Sequence, residues 1–234
     1  MIESAENPEK KIGFLIGSLT GAGAEKTILP LASILAEEKL KVYLFVLTDK
    51  GDYVAPPTIN LISLKERIDK RHINNNLLLS QGIDRLDLLV TSRPEYYDAI
   101  TASNKYCSVH ITPTAWLKQR PWLLTWKTAL QIRKLKKKYQ NKQIICLSNG
   151  IKADLVDNLG CHPNDISVIP NPFDFTLIRT KADEVLKPLP FQGRYIVYVA
   201  ALIPRKRHLD LLKAFAALAD QQINLLLLGK GKLE

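Results

Sequence analysis

Two apolar runs, KIGFLIGS at Lys11–Ser18 and VYLFVLTD at Val42–Asp49, flank a glycine-bearing turn and an amphipathic segment. Apolar runs this short, without polar alternation, read as strands covered on both faces. Strand, helix and strand within about forty residues call for a parallel sheet with crossover helices. The intervening LTGAGAEKTILPLASILAEEK places Ile28, Leu31, Ile34 and Leu35 at helical spacing. Pro30 lies inside that stripe and is expected to kink or delay the helix, because proline lacks the N–H that the turn requires.

The pattern recurs. DLLVTS (Asp87–Ser92) and YCSVHIT (Tyr106–Thr112) are strand candidates, IICLSNGIKADLVDNLG is a strand–turn–helix unit, and ISVIPNP adds a strand. DEVLKPLPFQGR, with two prolines and a glycine, reads as a linker. RYIVYVAAL, HLDLLKAFAALAD and INLLLLG then start a second strand–helix–strand series, with Leu209, Leu212 and Ala216 on one side of the helix beside Leu211, Phe215 and Leu218. The expected division is a Rossmann-like domain over 1–175, a hinge over 176–193 and the start of a second domain over 194–234. One crossover cannot cover both faces of a parallel sheet, so the second domain is expected to be incomplete.

Composition narrows the function. A chain of 234 residues, 46% hydrophobic, can bury a substantial core. No apolar run approaches the ~18–20 residues of a membrane-spanning helix. The polar opening MIESAENPEKK lacks the apolar stretch of a secretory signal, so a cytoplasmic location is expected. Cys107, Cys146 and Cys161 are too few and too scattered for a disulfide framework or a zinc site; reduced thiols and no metal are expected. The net charge of +10 favours an anionic partner: nucleic acid, anionic lipid or a phosphorylated substrate.

Gly17, Gly21 and Gly23 lie between the first strand and helix, where bare backbone can approach a ligand and helix N–H groups can face an anion. A phosphate-binding P-loop fails, because Glu25 stands where a glycine must precede Lys26-Thr27. A dinucleotide-binding turn of the short-chain dehydrogenase kind is closer, with Asp49 ending the second strand. That chemistry also uses a Tyr and Lys four residues apart, and no tyrosine here has that partner.

Five segments, in order, carry a more specific resemblance: IGSLTGAGAEKTILPLASILAEEKLKVYLFVLT, CLSNGIKADLVDNLG, ISVIPNPFD, YIVYVAALIPRKRHLDLLKAFAAL and LLLLGKGKLE. Together they resemble the family 4 glycosyltransferases over nearly the whole chain, most weakly from Thr58 to Thr101. The resemblance implies two Rossmann-like domains of GT-B-like arrangement, here with the second truncated. It implies transfer of a sugar, with retention, from a nucleotide-diphosphate donor (a UDP-sugar) to a glycan or lipid-linked acceptor of surface polysaccharide or lipopolysaccharide. No further cofactor is implied. In that family the first glycine-rich loop lies near donor diphosphate and acceptor, which carries over to Gly21, Gly23 and Glu25. A histidine at a strand end of the first domain reaches the transferred sugar, which carries over to His110. An Arg and a Lys clamp the diphosphate, neutralising charge without a metal. Lys206 stands at the Lys position, while Ala201 replaces the Arg, so Arg205 and Arg207 are candidates to compensate. Gly229 and Gly231 match the turn that passes close to the nucleotide. A helix N-terminus disfavours cations such as Arg205-Lys206-Arg207 unless an anion is bound there, which adds to the donor reading. Two glutamates with seven residues between them, which hold the ribose in the family, have no counterpart here.

The stretch TAWLKQRPWLLTWKTALQIRKLKKKY, Thr114 to Tyr139, is basic and aromatic. Trp116, Trp122 and Trp126 with Lys118, Arg120, Lys127, Arg133, Lys134, Lys136, Lys137 and Lys138 suit an anionic membrane surface, and Leu123, Leu124, Leu130 and Ile132 supply apolar depth. The same residues suit phosphate contacts and stacking on nucleic acid, but no reader module accompanies them, so nucleic acid is not an expected partner. The alternative is a helix with tryptophans inward and lysines in water. A peripheral position on the inner face of the cell membrane is the corresponding expectation. A catalytically inactive membrane- or glycan-binding remnant, and below it a dehydrogenase, are the competing functions.

Overall fold

The computed structural model describes residues 9–20, 25–48, 51, 54–64, 68–69, 72–73, 78–79, 81–118, 126–184, 192–218 and 222–232. Two compact units, Met1–Phe173 and Asp174–Glu234, divide the chain.

The first unit runs β1 (Lys11–Ile16), α1 (Glu25–Glu37), β2 (Lys41–Val46), β3 (Asn60–Ser63), the hairpin β4 (Ile68–Asp69) and β5 (His72–Ile73), then β6 (Leu86–Thr91), β7 (Ala102–Val109), α2 (Ala115–Lys118), α3 (Trp126–Tyr139), β8 (Ile144–Cys146), α4 (Asn149–Asp157) and β9 (Ile166–Val168). Seven strands form one sheet in the order β3-β2-β1-β6-β7-β8-β9. Every pairing in it is parallel.

Period-two alternation divides the core. Ile12, Phe14, Ile16, Val42, Leu44 and Val46 share one face with Ile28, Leu29 and Ala32 of α1. Leu15, Tyr43 and Phe45 share the other with Ile62, Leu86, Leu89 and Ile100. Each fully covered Leu, Ile or Phe contributes about 1.5–3 kcal/mol relative to exposure, so the strands are held by burial from both sides. Gly13 lies on the second face because a Cβ there would stand 3.1 Å from the Phe45 ring and overlap Leu86.

The helical stripe differs from expectation. Ile28, Leu29 and Ala32 are buried, whereas Leu31 and Ile34 are 36% and 55% exposed. Ile28 and Leu35 of the expected stripe meet the sheet, with Leu29 and Ala32 in place of Leu31 and Ile34. The helix also runs through Pro30 instead of starting after it. The Pro30 side chain faces solvent, where the carbonyl it cannot serve is open to water.

A third cluster lies under α3 and α4, where Cys107, Val109, Tyr139, Ile144, Cys146, Leu155 and Cys161 pack together. Burial pushes the Cys107 thiol up to about 12, so it stays protonated and unreactive. All three cysteines are free and buried. Ser148 caps α4: in extended conformation, its Oγ accepts from the Ile151 N–H at 3.3 Å.

The second unit contains α5 (Phe175–Ala182), β10 (Arg194–Val199), α6 (His208–Ala216) and β11 (Ile223–Leu228). The helix α5 occupies the first part of the stretch that sequence composition suggests as a hinge. β10 and β11 pair in parallel from Arg194↔Ile223 to Val199↔Leu228. The buried His208, with the half-buried Leu211 and Phe215, recurs on one side of α6, while Leu209 and Leu212 are exposed. Of the six expected apolar positions, Leu211 and Phe215 lie on that side, while Leu209, Leu212, Ala216 and Leu218 are exposed.

Candidate functional site

The strand order reverses at β1, whose neighbours are β2 on one side and β6 on the other. In open parallel sheets, loops leaving the strands' C-terminal ends diverge at such a point and form a ligand crevice. Gly17–Thr20 leave β1 there, Ser92 and Arg93 leave β6, and His110 leaves β7.

The β1 loop is held by backbone. Leu19 makes a parallel bridge to Gly51, and the Thr48 N–H donates to the Gly17 carbonyl at 3.1 Å. Ser18 Oγ and Thr20 Oγ1 share a hydrogen bond of 2.9 Å. Gly21 and Gly23, the proposed ligand-facing glycines, lie outside the described residues. Glu25 supplies the first residue of α1, and its side chain also lies outside them.

Arg93 is fixed by the buried Thr91. The Arg93 N–H donates to Thr91 Oγ1 at 2.9 Å, and that hydroxyl donates to the Arg93 carbonyl at 3.2 Å. The guanidinium lies over Gly17, with Nη1 3.8 Å from where a Cβ on Gly17 would be. Arg93 Nε pairs with Glu95 Oε1 at 3.3 Å. Glu95 Oε2 lies 3.0 Å from Lys138 Nζ of α3, an ion pair outside the geometry of a directed hydrogen bond. Burial pushes the Glu95 carboxyl up, but its own backbone amide, Lys138 and Arg93 outweigh this and hold it below the ordinary glutamate value. Sequence reading did not single out Arg93 or Glu95. Their available signal was a polar Ser-Arg-Pro-Glu run directly after an apolar strand.

His110 is half-buried one residue past β7. Its Nε2 shares a hydrogen bond of 2.8 Å with Ser108 Oγ, and its buried Nδ1 has no hydrogen-bond partner. Burial lowers its pKa below the ordinary histidine value, so the ring is neutral at pH 7. The loop beyond it is tied to α4. The buried Asp154 accepts from the Thr114 N–H at 3.0 Å, from the Thr114 hydroxyl, and from Asn158 Nδ2 at 2.8 Å. Sequence reading missed this anchor, which joins residues forty positions apart.

The basic helix α3 is two-sided. Ile132, Leu135 and Tyr139 pack inward, whereas Leu130, Arg133, Lys134 and Lys137 are exposed at positions that share one outer face. Lys136 is half-buried. Two expectations need correction here. Lys138 is committed to Glu95, so it is no free membrane contact. Ile132 supplies core packing instead of membrane depth, because the inward face of α3 covers the third cluster. Trp122 and the side chains of Trp116 and Trp126 lie outside the described residues. Among the described residues no helix is long and apolar enough to cross a membrane, and no group of His, Cys, Asp or Glu could hold a metal ion.

In the second unit, the turn from β10 to α6 carries Lys206 and Arg207. Tyr198 donates its hydroxyl to the Lys206 carbonyl at 2.8 Å, and its ring meets the buried His208 edge-on at 5.2 Å. The Lys206 side chain is exposed. Arg207, at φ 55°, precedes α6 and forms an ion pair through Nε with Asp210. This corrects the expectation that a cation at this helix start implies a bound anion: Asp210 in the first turn already partners Arg207. The Arg205 side chain lies outside the described residues. Gly229 and Gly231 follow β11, where a Cβ would overlap the Ala200 and Leu202 carbonyls respectively. Both glycines are required by backbone passing against backbone, and Leu202 N–H donates to the Lys230 carbonyl at 2.9 Å between them.

No curated protein matches the sequence. Among solved structures, the crystal structure of WaaG, a glycosyltransferase involved in lipopolysaccharide biosynthesis, is similar with a TM-score of 0.59 at 14% identity. The match covers 94% of this chain and 64% of that one, so the chain spans less than two thirds of the WaaG chain's length. At that identity the likeness is one of fold: α/β, with Rossmann-like parallel sheets. The family model described as Glycosyltransferase Family 4 matches residues 21–177, more than half of the chain. The chain belongs to Glycosyltransferase Family 4.

Proposed function

We propose that this chain belongs to an enzyme that transfers a sugar from a nucleotide-diphosphate donor, a UDP-sugar, to a glycan or lipid-linked acceptor in surface polysaccharide or lipopolysaccharide synthesis, with retention at the anomeric carbon. The observation that carries this reading is the family match over 21–177. Residues in each unit, taken separately, support it. A neutral imidazole at the C-terminal end of β7 suits a sugar hydroxyl better than it suits a phosphate. Lys206, with its carbonyl held by Tyr198 and its ammonium in solvent, suits a departing diphosphate. Gly229 and Gly231 keep the neighbouring turn bare. Arg207 contributes less to the donor clamp, because Asp210 holds it.

Calorimetry of UDP against this chain, with NAD as the control, tests the reading. Saturable UDP binding that disappears in Lys206→Ala supports it. NAD binding in place of UDP would overturn it in favour of a dehydrogenase. A folded chain that binds neither would favour the non-catalytic reading for this 234-residue species.

A peripheral position on an anionic membrane is a second proposal, favoured by the exposed Leu130, Arg133, Lys134 and Lys137 face of α3. Flotation with anionic liposomes tests it, and absence of binding at low salt would remove it.

A further inference from the structure

Among the described residues, the cluster around Arg93 holds two cations and one carboxylate. Arg93 and Lys138 share one carboxylate, Glu95, leaving one positive charge without a counter-ion in the triad. The Glu95 side chain is 25% exposed, while that of Arg93 is 47% exposed. The closer approach to Glu95 is from Lys138, at 3.0 Å against 3.3 Å.

The position of the surplus charge is set firmly. Thr91 holds the Arg93 backbone from both its N–H and its carbonyl. Glu95 engages Nε, which leaves the terminal Nη1/Nη2 edge to face a second oxyanion in the two-pronged way a guanidinium favours. The guanidinium lies beside Gly17, the bare first residue after β1, with Nη1, Cζ and Cδ 3.8, 3.9 and 4.0 Å from a Cβ placed there. The place is the reversal point of the strand order, where open parallel sheets take their ligands.

We propose that Arg93 is the centre of an oxyanion subsite in the first unit, which takes a phosphate or carboxylate carried by the acceptor sugar. The acceptor assignment rests on the glycosyltransferase reading above; the oxyanion site itself does not. A donor diphosphate offers the same chemistry, and the experiment separates the two.

The test titrates the full chain with glucose 6-phosphate and glucuronate, with glucose as the neutral control and UDP as the donor arm. The charged sugars bind and glucose does not. Arg93→Gln weakens the charged sugars by about tenfold or more, and leaves UDP unchanged. Arg93→Lys, which keeps the charge and loses the fork, falls between. Gly17→Asp has room for its side chain and sets a carboxylate against the guanidinium, so it abolishes sugar-phosphate binding without touching the Arg93 anchor. It serves if Arg93→Gln fails to fold. Equal binding of glucose and glucose 6-phosphate overturns the proposal, as does charged-sugar binding that Arg93→Gln and Gly17→Asp both leave intact. Loss of UDP binding in Arg93→Gln overturns the acceptor assignment and moves the site to the donor. Loss of UDP binding in Lys206→Ala reports on the donor reading separately, so the two can fail independently.

Discussion

Gly51 lies directly against the backbone of Leu19: a Cβ at Gly51 would stand 2.6 Å from the Leu19 Cα and overlap its carbonyl. The contact ties the loop after β2 to the loop after β1, which borders the crevice. Gly51→Ala is expected to push the two loops apart and destabilise the first unit by about 1–3 kcal/mol. Gly17→Ala, with 3.8 Å of clearance, is expected to be close to neutral. Urea denaturation of both variants makes the comparison, and equal midpoints would contradict the packing described.

Asp154 supplies three acceptor contacts in the interior. Asp154→Ala strands the buried Thr114 N–H and hydroxyl, at a cost of about 1–3 kcal/mol. Asp154→Asn keeps one acceptor oxygen and is expected to cost less. Chemical denaturation ranks the two; a tolerated Asp154→Ala would mean the loop is held by other contacts.

His110 is expected to titrate below the ordinary value of about 6.5, because burial penalises the imidazolium. The unfolded chain then binds the proton more readily than the folded one. Its contribution to stability is therefore present above pH 6.5 and is lost as pH falls through the folded value. NMR titration of the ring protons measures the midpoint directly. A midpoint above 6.5 would mean an acidic partner faces the ring.

Gly229→Ala would drive a methyl into the Ala200 carbonyl. The second unit is expected to lose its β10–α6 and β11 turn geometry, and UDP affinity with it. Lys206→Ala should lose UDP affinity while folding stability stays within about 0.5 kcal/mol of the parent, since an exposed lysine contributes little to folding. Parallel calorimetry and thermal melts distinguish a damaged turn from a lost charge.

Arg133, Lys134 and Lys137 on the outer face of α3 are expected to act together on anionic vesicles. Replacing all three by Ala removes about 3 kcal/mol at about 1 kcal/mol per cation, or roughly a hundredfold in partitioning. Lys138→Ala is expected to change vesicle binding little and to loosen α3, because it breaks the pair with Glu95. A larger vesicle effect from Lys138 than from Lys134 would reverse this assignment.

Much of the fold is legible along the chain. The runs at β1 and β2, and less fully β6, are apolar and buried on both faces, and burial selects the strand whatever its neighbours. Those at β10 and β11 read as strands from the same apolar signal, although β10 is mostly exposed and β11 half-buried. β3 escaped notice because Asn60 and Leu61 of its four residues are exposed at the sheet's edge, which leaves no strong pattern. β7 begins at Ala102, four residues before the expected start, because its exposed Ser103 and Asn104 carry no apolar signal. His110 was found because a family resemblance pointed to a strand end. Arg93, Glu95 and Asp154 were not, since nothing local in Ser-Arg-Pro-Glu or in Lys-Ala-Asp-Leu distinguishes them from ordinary surface residues.

The sequence by itself determined the parallel α/β class, the restart at β10, and the family, because apolar periodicity and motif order are properties of neighbours along the chain. Tertiary structure decided which charges are partnered. Lys138 is forty-three positions from Glu95, yet the strand order of β6, β7 and β8 brings α3 back over the turn after β6. Coulomb attraction depends on distance in space and on exclusion of water, and neither is written in the spacing of residues. The same folding that takes Lys138 from the outer face of α3 leaves the Arg93 guanidinium sharing its counter-ion at the crevice.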